Sequence, residues 1–340
     1  MTEESVKTKA TREYVTLGAI DKYLTSTVPS AEESTRPGQD LVTWGEDNLF
    51  PEYLNGLYQD VGLLKSIIVG CSDIALGNEV RGLDYSLAKK LALSWFTYGG
   101  FAIQVICDRL GNVASLSYID LRKLRTNPDC SEFYYSDNWG KYTTKYLKYP
   151  KYSKGSSGIV YVKSSFEGTY PSPLYGAKTT LQCCELQKEI TNYHVASIQN
   201  GFSGGVVFQF SNGIPTDKQK DEIEKNILEK FCGSGNAGRI LINFSDDLDH
   251  GLTLEQLDTV DYGEKYSSLQ DHTKEEIFTA FRATPNLFGI PTETTGFNDQ
   301  EYQGAFKLFN RFTIRPFQVA LKSTLASLGY SLEITPYSLD

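Results

Sequence analysis

Apolar positions along this chain change their spacing several times, and each change marks an element. Leu54, Leu57, Tyr58, Val61, Leu64, Ile67, Ile68 and Cys71 recur at helical intervals behind a turn that Asn48 and Pro51 suit. A second helix is expected over residues 85–98, with Leu87, Leu91, Leu93 and Phe96 inward and Gly99-Gly100 as its stop. The pattern then turns to strands at 101–107 and 113–119 around a Gly111-Asn112 turn, with further strands expected at 132–135, 142–147 and 158–162. A long helix follows over 175–200, carrying Leu181, Cys184, Ile190, Tyr193 and Ile198 and closed by Asn200-Gly201.

Beyond it the pattern shortens into a small β-α-β unit. Residues 206–210 read as a strand and Asn212-Gly213 as a turn. Thr216 to Gln219 has the form of a capping box behind Pro215, opening a helix with Ile223, Ile227, Leu228 and Phe231. Residues 239–244 read as the second strand. Another helix ends in Ile277, Phe278 and Phe281, and Pro285 stops it near Thr284. Gly289, Pro291 and Gly296 then keep about a dozen residues out of helix, long for a plain connection. Asn298 suits an N-cap with Glu301 supporting it. Tyr302, Ala305, Phe306, Phe309, Phe312, Ala320, Leu321, Leu325 and Leu328 form the stripe of the last helix, which Pro316 should bend by removing the hydrogen bond to Phe312. The class expected is α+β.

Composition narrows the reading without deciding it. With 340 residues the chain can build two modest cores or one elongated body. Aromatic content of 13% fits either interface tyrosines or a Tyr-rich β region. The net charge of −9 argues against general electrostatic capture of nucleic acid, though not against letting it pass. Lys141, Lys145, Lys148, Lys151, Lys154 and Lys163 alternate with tyrosines across 138–164; that suits contact with nucleic acid, or more plainly edge strands guarded by lysine. The six cysteines show no C-x-x-C spacing and read as reduced thiols of an intracellular protein. No apolar run approaches the ~18 residues of a membrane span, and no signal peptide is expected. The polar residues 1–41 read as a flexible arm.

Motifs for chemistry are weak. The run Gly233-Ser234-Gly235-Asn236-Ala237-Gly238 lacks the Gly-Lys-Ser/Thr of a phosphate loop and leads into a strand, so it reads as a turn. Asp246, Asp247, Asp249 and His250 lack the glycine and glutamate of a calcium loop. His194 has no ligand partner at suitable spacing, and no serine sits in a nucleophile-elbow context. The expectation is no enzyme, no cofactor and no metal site.

The order of Trp44-Gly45-Glu46-Asp47-Asn48-Leu49-Phe50-Pro51, Asn200-Gly201-Phe202, the glycine-rich 233–238 turn, Ala280-Phe281-Arg282-Ala283-Thr284-Pro285 and Leu287-Phe288-Gly289-Ile290-Pro291 resembles the portal proteins of tailed bacteriophages and prophages. The resemblance covers about residues 42–330. It implies a wing (42–173), a first stem helix (174–200), a clip (201–259), a second stem helix (260–284), a tunnel loop (285–297) and a kinked wing helix (298–329). A short tail (330–340) stands where many portals have a crown.

The resemblance further implies a ring, usually of twelve copies, at one vertex of the virion capsid, assembled in the bacterial host cytoplasm. Double-stranded DNA passes through the ring, with Gly289, Thr292, Glu293, Thr294, Thr295, Gly296, Phe297 and Asn298 facing the channel. Asn212, Lys218, Lys220, Glu224, Gly235 and Asn236 would form the clip surface for terminase and head-completion proteins, with major capsid protein around the ring. Between Tyr262 and Asp299 three basic residues face six acidic ones, a balance that favours sliding over binding. The alternatives are another ring-forming head–tail connector, or an enzyme using the glycine turn and the aspartates.

Overall fold

The computed structural model describes residues 12–17, 28–35, 40–140, 144–165, 167–199, 206–210, 216, 218–219, 222–223, 240–245, 253–256, 263–290 and 299–337. Strands β1 (Arg12–Leu17), β2 (Glu33–Thr35) and β3 (Val42–Trp44) precede helices α1 (Phe50–Asp60) and α2 (Gly62–Leu76). Strand β4 (Glu79–Arg81) and helix α3 (Tyr85–Tyr98) lead to β5 (Gly100–Cys107), β6 (Val113–Ile119), β7 (Leu124–Thr126), β8 (Glu132–Tyr135), β9 (Leu147–Pro150) and β10 (Gly158–Lys163). Helix α4 (Lys178–Gln199) is followed by β11 (Val206–Phe210), β12 (Ile240–Ser245) and β13 (Thr253–Gln256). Helices α5 (Gly263–Ala280), α6 (Asp299–Phe309) and α7 (Arg315–Ser327) and strand β14 (Glu333–Thr335) complete the described elements.

Two compact units result: Val28–Gln187 with His272–Asp340, and Met1–Thr27 with Lys188–Asp271. In the first, three antiparallel sheets, in the orders β2-β3-β7-β8-β9, β10-β5-β6 and β14-β4, share one buried apolar cluster with the helices. Phe317 of α7 lies at the centre of the core. Its ring centroid is 5.9 Å from Trp95, 5.8 Å from Phe96 and 6.3 Å from Phe101. Tyr175 stacks on Phe281 at 5.7 Å and donates to the Thr97 carbonyl, tying the entry of α4 to α3.

The Trp44-to-Pro51 motif has a structural cause. Asn48 adopts φ 63°, a left-handed position that Asn tolerates better than most residues. Its Oδ1 accepts from the Trp44 N–H at 2.9 Å and from Arg125 Nε at 2.6 Å. Arg125 is fully buried and also donates to the carbonyls of Asn48, Arg122 and Leu124. Its guanidinium lies 5.8 Å from the Trp44 ring and 5.2 Å from that of Trp139. The motif is therefore a turn wrapped around a buried cation, whose desolvation is offset by its acceptors and two aromatic faces.

Several expectations are corrected. The helix expected through Leu54 and Cys71 is two helices, because Val61 is extended (φ −98°, ψ 99°) and buried between them. The strand expected over 142–147 starts only at Leu147 and runs to Pro150, on the outer edge of its sheet where a residue without an N–H is tolerated. That edge carries Lys148, paired with Glu132 of β8 at 3.1 Å, and continues into a bridge between Lys151 and Ile159.

Two pieces of the polar arm are strands. Glu33 of β2 accepts from the N–H groups of Thr169 and Tyr170, and β1 pairs antiparallel with β12 from Arg12↔Ser245 to Leu17↔Ile240. Polar composition hid them because neighbouring strands supply the pairing.

In the second unit the sheet order is β1-β12-β11-β13. Strands β11 and β12 lie side by side and parallel, as a β-α-β unit requires. The flanking β1 and β13, both antiparallel, had no signal in the sequence reading. Gln219 reaches back to the Thr216 N–H at 3.0 Å, the return half of the capping box. The 233–238 turn and the aspartates at 246, 247 and 249 lie outside the described residues. Cys71, Cys107, Cys130, Cys183 and Cys184 are free thiols; Cys232 is outside the described residues.

Candidate functional site

The stretch from Ile277 to Leu328 is built on two helix terminations. Helix α5 ends at Ala280 and closes with the Ala283 N–H on the Phe278 carbonyl (3.0 Å) and the Arg282 N–H on that of Thr279 (2.9 Å). This double bond set is a Schellman motif, and its left-handed position is taken by Arg282 at φ 52° rather than by glycine. Thr284 is then extended, as the following proline demands, and Pro285–Phe288 makes one 3₁₀ turn. The turn closes the same way. The Ile290 N–H bonds to the Pro285 carbonyl and that of Gly289 to Asn286, with Gly289 at φ 75°. A Cβ on Gly289 would meet nothing within 4 Å, so only the backbone angle asks for glycine there.

Phe288 docks this turn onto the core. Its ring lies 5.9 Å from Phe278 and 6.2 Å, edge-on, from Phe309. On its other side it rests on Gly70 of α2, where a Cβ would come within 2.7 Å of the ring. Gly70, Asp73, Asn78, Phe288, Tyr302 and Phe306 help line a cleft of ≈ 440 Å³ beside the turn.

The last helix is interrupted before its proline. Asn310–Ile314 is a π-helical segment, in which the Arg315 N–H reaches back five residues to the Asn310 carbonyl. Pro316 follows in the first turn of α7 and is exposed. The wide turn relieves the clash a proline ring has with the carbonyl four residues earlier. It also advances the register by one residue. The expected stripe placed Phe312 inward; instead Phe312 is 45% exposed, and Thr313, Ile314 and Phe317 are buried. Thr313 Oγ1 donates to the Phe281 carbonyl at 2.7 Å, satisfying one of the free carbonyls at the end of α5.

Of the expected channel residues, Gly289 is placed in the closing turn, while Thr292, Glu293, Thr294, Thr295, Gly296, Phe297 and Asn298 lie outside the described residues. Among the clip residues Lys218 is helical and exposed; Asn212, Lys220, Glu224, Gly235 and Asn236 lie outside the described residues. Sequence reading missed Gly70, Arg282 and Thr313. The Arg-Ala-Thr-Pro run carried the only usable signal, since Pro285 forces the helix to close upstream.

Comparison with known proteins gives this architecture a family. The sequence model of the family described as "Phage portal protein" matches residues 83–333. The chain belongs to the phage portal protein family. A probable portal protein of Haemophilus phage HP1 (strain HP1c1) is 21% identical over 241 residues, 70% of this chain and 67% of that protein. A protein of Rickettsia bellii (strain RML369-C) is 29% identical over 119 residues, 34% of this chain, and the match spans only 30% of that relative's length. Among solved structures, a chain from the neck of a native gene transfer agent (GTA) particle, computed with C12 symmetry, superposes with a TM-score of 0.53. That alignment has 14% identity and covers 94% of this chain and 89% of the other. The mixed helix and sheet fold is thus shared with that neck chain.

Proposed function

We propose that this chain is the structural subunit of a portal: a ring, of about twelve copies as in the C12 neck, at one capsid vertex, through which double-stranded DNA is packaged and ejected. The observation that carries the reading is the family match over residues 83–333, the span that holds both helix terminations and the interrupted last helix. In this subunit the 42–173 region and the 298–329 helix act as wing, the helices at 174–200 and 260–284 as stem, 201–259 as clip and 285–297 as tunnel loop. The clip docks terminase during packaging and head-completion proteins afterwards, and the ring resides in the virion after assembly in the host cytoplasm. The role is mechanical, not catalytic.

The charge balance from Tyr262 to Asp299 supports passage, since six acids against three bases repel phosphate. The Phe288 anchor and the Gly289 closure support a rigid base for this loop, whose channel residues are Gly289 and Thr292 to Asn298. Electron microscopy of the purified full chain tests the reading. Rings with a central channel are expected; a sample that stays monomeric at high concentration with capsid protein present overturns it. Deleting 292–296 should leave ring assembly intact and reduce packaged or retained DNA. Normal packaging by that deletion removes the loop from the mechanism.

A further inference from the structure

The outer face of the α6–α7 helix is not accounted for by the core. Two rows run side by side along it at four-residue intervals. Lys307, Arg311 and Arg315 form one row, and Leu308, Phe312 and Pro316 the other, all exposed. Val319 extends the apolar row. Leu308, Phe312 and Val319 are 58%, 45% and 56% exposed. Between Glu301 and Glu333 the chain has four cations (Lys307, Arg311, Arg315 and Lys322) and no acid, while its net charge is −9. The Phe312 ring is held outward by two guanidinium groups, Arg282 at 5.5 Å and Arg311 at 5.7 Å from its centroid. An exposed aromatic fixed in this way is preorganised for contact.

We propose that this face docks against an acidic surface of a second copy of the same chain. The inference rests on the ring reading above and deepens it by assigning one side of the contact. Rows of side chains four residues apart are the ridges that pack into the grooves of another helix. Duplex DNA would match the cations but leave the apolar row facing phosphate and water, whereas a protein partner buries both. The copy is favoured as that partner because the chain supplies the complementary charge itself: 42 acidic residues, none of them within this helical span after Glu301. A contact between two different surfaces of identical chains is heterologous, the kind that closes into rings.

The test uses the full chain and two variants, Arg311→Glu with Arg315→Glu, and Leu308→Asp with Val319→Asp. Leu110→Asp serves as control, at an 86% exposed leucine in the turn after β5. Mass photometry over a concentration series reads assembly, a thermal melt read by circular dichroism reads folding, and fluorescence anisotropy with a labelled duplex reads DNA binding. Both variants should melt like the parent and need at least tenfold more protein to assemble, while the control assembles normally. Parent-like assembly by both variants overturns the proposal. If the arginine variant assembles normally but loses duplex binding, the face belongs to nucleic acid and the proposal falls. If the parent forms dimers, not rings, and the variants abolish them, the surface stands and the ring reading falls. A parent that never associates overturns both.

Discussion

Arg125 makes the residue-scale case that a motif shared by order and spacing can be structural at root. Its guanidinium is fully buried and donates to the Asn48 side chain and to the carbonyls of Asn48, Arg122 and Leu124. Arg125→Met leaves those acceptors unpaired in the interior and should cost about 3–5 kcal/mol. Arg125→Lys should recover little of it, because an ammonium lacks the planar fork that reaches several acceptors at once. Denaturant midpoints of the three proteins check this; a lysine variant as stable as the parent would show that charge alone suffices.

Glu52 supplies the pH dependence. Its carboxylate lies 3.7 Å from Arg125, beyond hydrogen-bond reach, and desolvation raises its pKa above 4.5 against the opposing pull of Arg125. The folded chain therefore holds this proton more tightly than the unfolded chain. The resulting stabilisation is full below 4.5 and is lost as pH rises through the raised folded pKa. Glu52→Gln should flatten the fall in urea midpoint across that window. An unchanged slope would assign it to other groups.

At the scale of elements, the close approach of Gly70 to Phe288 couples α2 to the 3₁₀ turn. Alanine at 70 would place its Cβ 2.7 Å from the ring, so Gly70→Ala should cost about 1–3 kcal/mol through overpacking. In the Phe288→Leu background the same substitution should cost little, giving a clear coupling energy in a double-mutant cycle. Strictly additive effects would mean that the ring does not rest on α2. Much at this scale was legible in the sequence: α3 with its Gly99 stop, the β5–β6 hairpin around Gly111 and the two strands β11 and β12 all follow from local pattern. The failures share a cause. Val61 breaks a helix whose apolar spacing is continuous, and the π segment moves Phe312 outward although periodicity puts it inside. In both places burial in the core decides the local geometry, Val61 and Thr313 both being buried and Thr313 also bonded to the Phe281 carbonyl. For the candidate site, Pro285 and Gly289 were readable because their backbone demands are local, whereas Gly70 becomes meaningful only once Phe288 lies on it.

For the whole molecule, the division into two units has a direct consequence. Among the described residues, the main buried apolar cluster, from Val42 to Ile334, draws none from 188–271. The chain leaves and re-enters the larger unit where Gln187 and Thr273 are in contact, with Thr273 Oγ1 donating to Gln187 Oε1 at 2.7 Å. A short glycine-rich bridge replacing 188–271 therefore spans a small gap, and shortening the loop lowers its closure entropy. The bridged chain should fold, melt cooperatively and keep the Arg125 and Phe288 environments, read by tryptophan fluorescence and near-ultraviolet circular dichroism. It should lose whatever terminase binding the full chain shows, since the proposed clip lies wholly in the deleted part. A bridged chain that binds terminase as the parent does would move that docking surface onto the wing, and one that melts without cooperativity would show that the larger unit depends on the smaller for its fold.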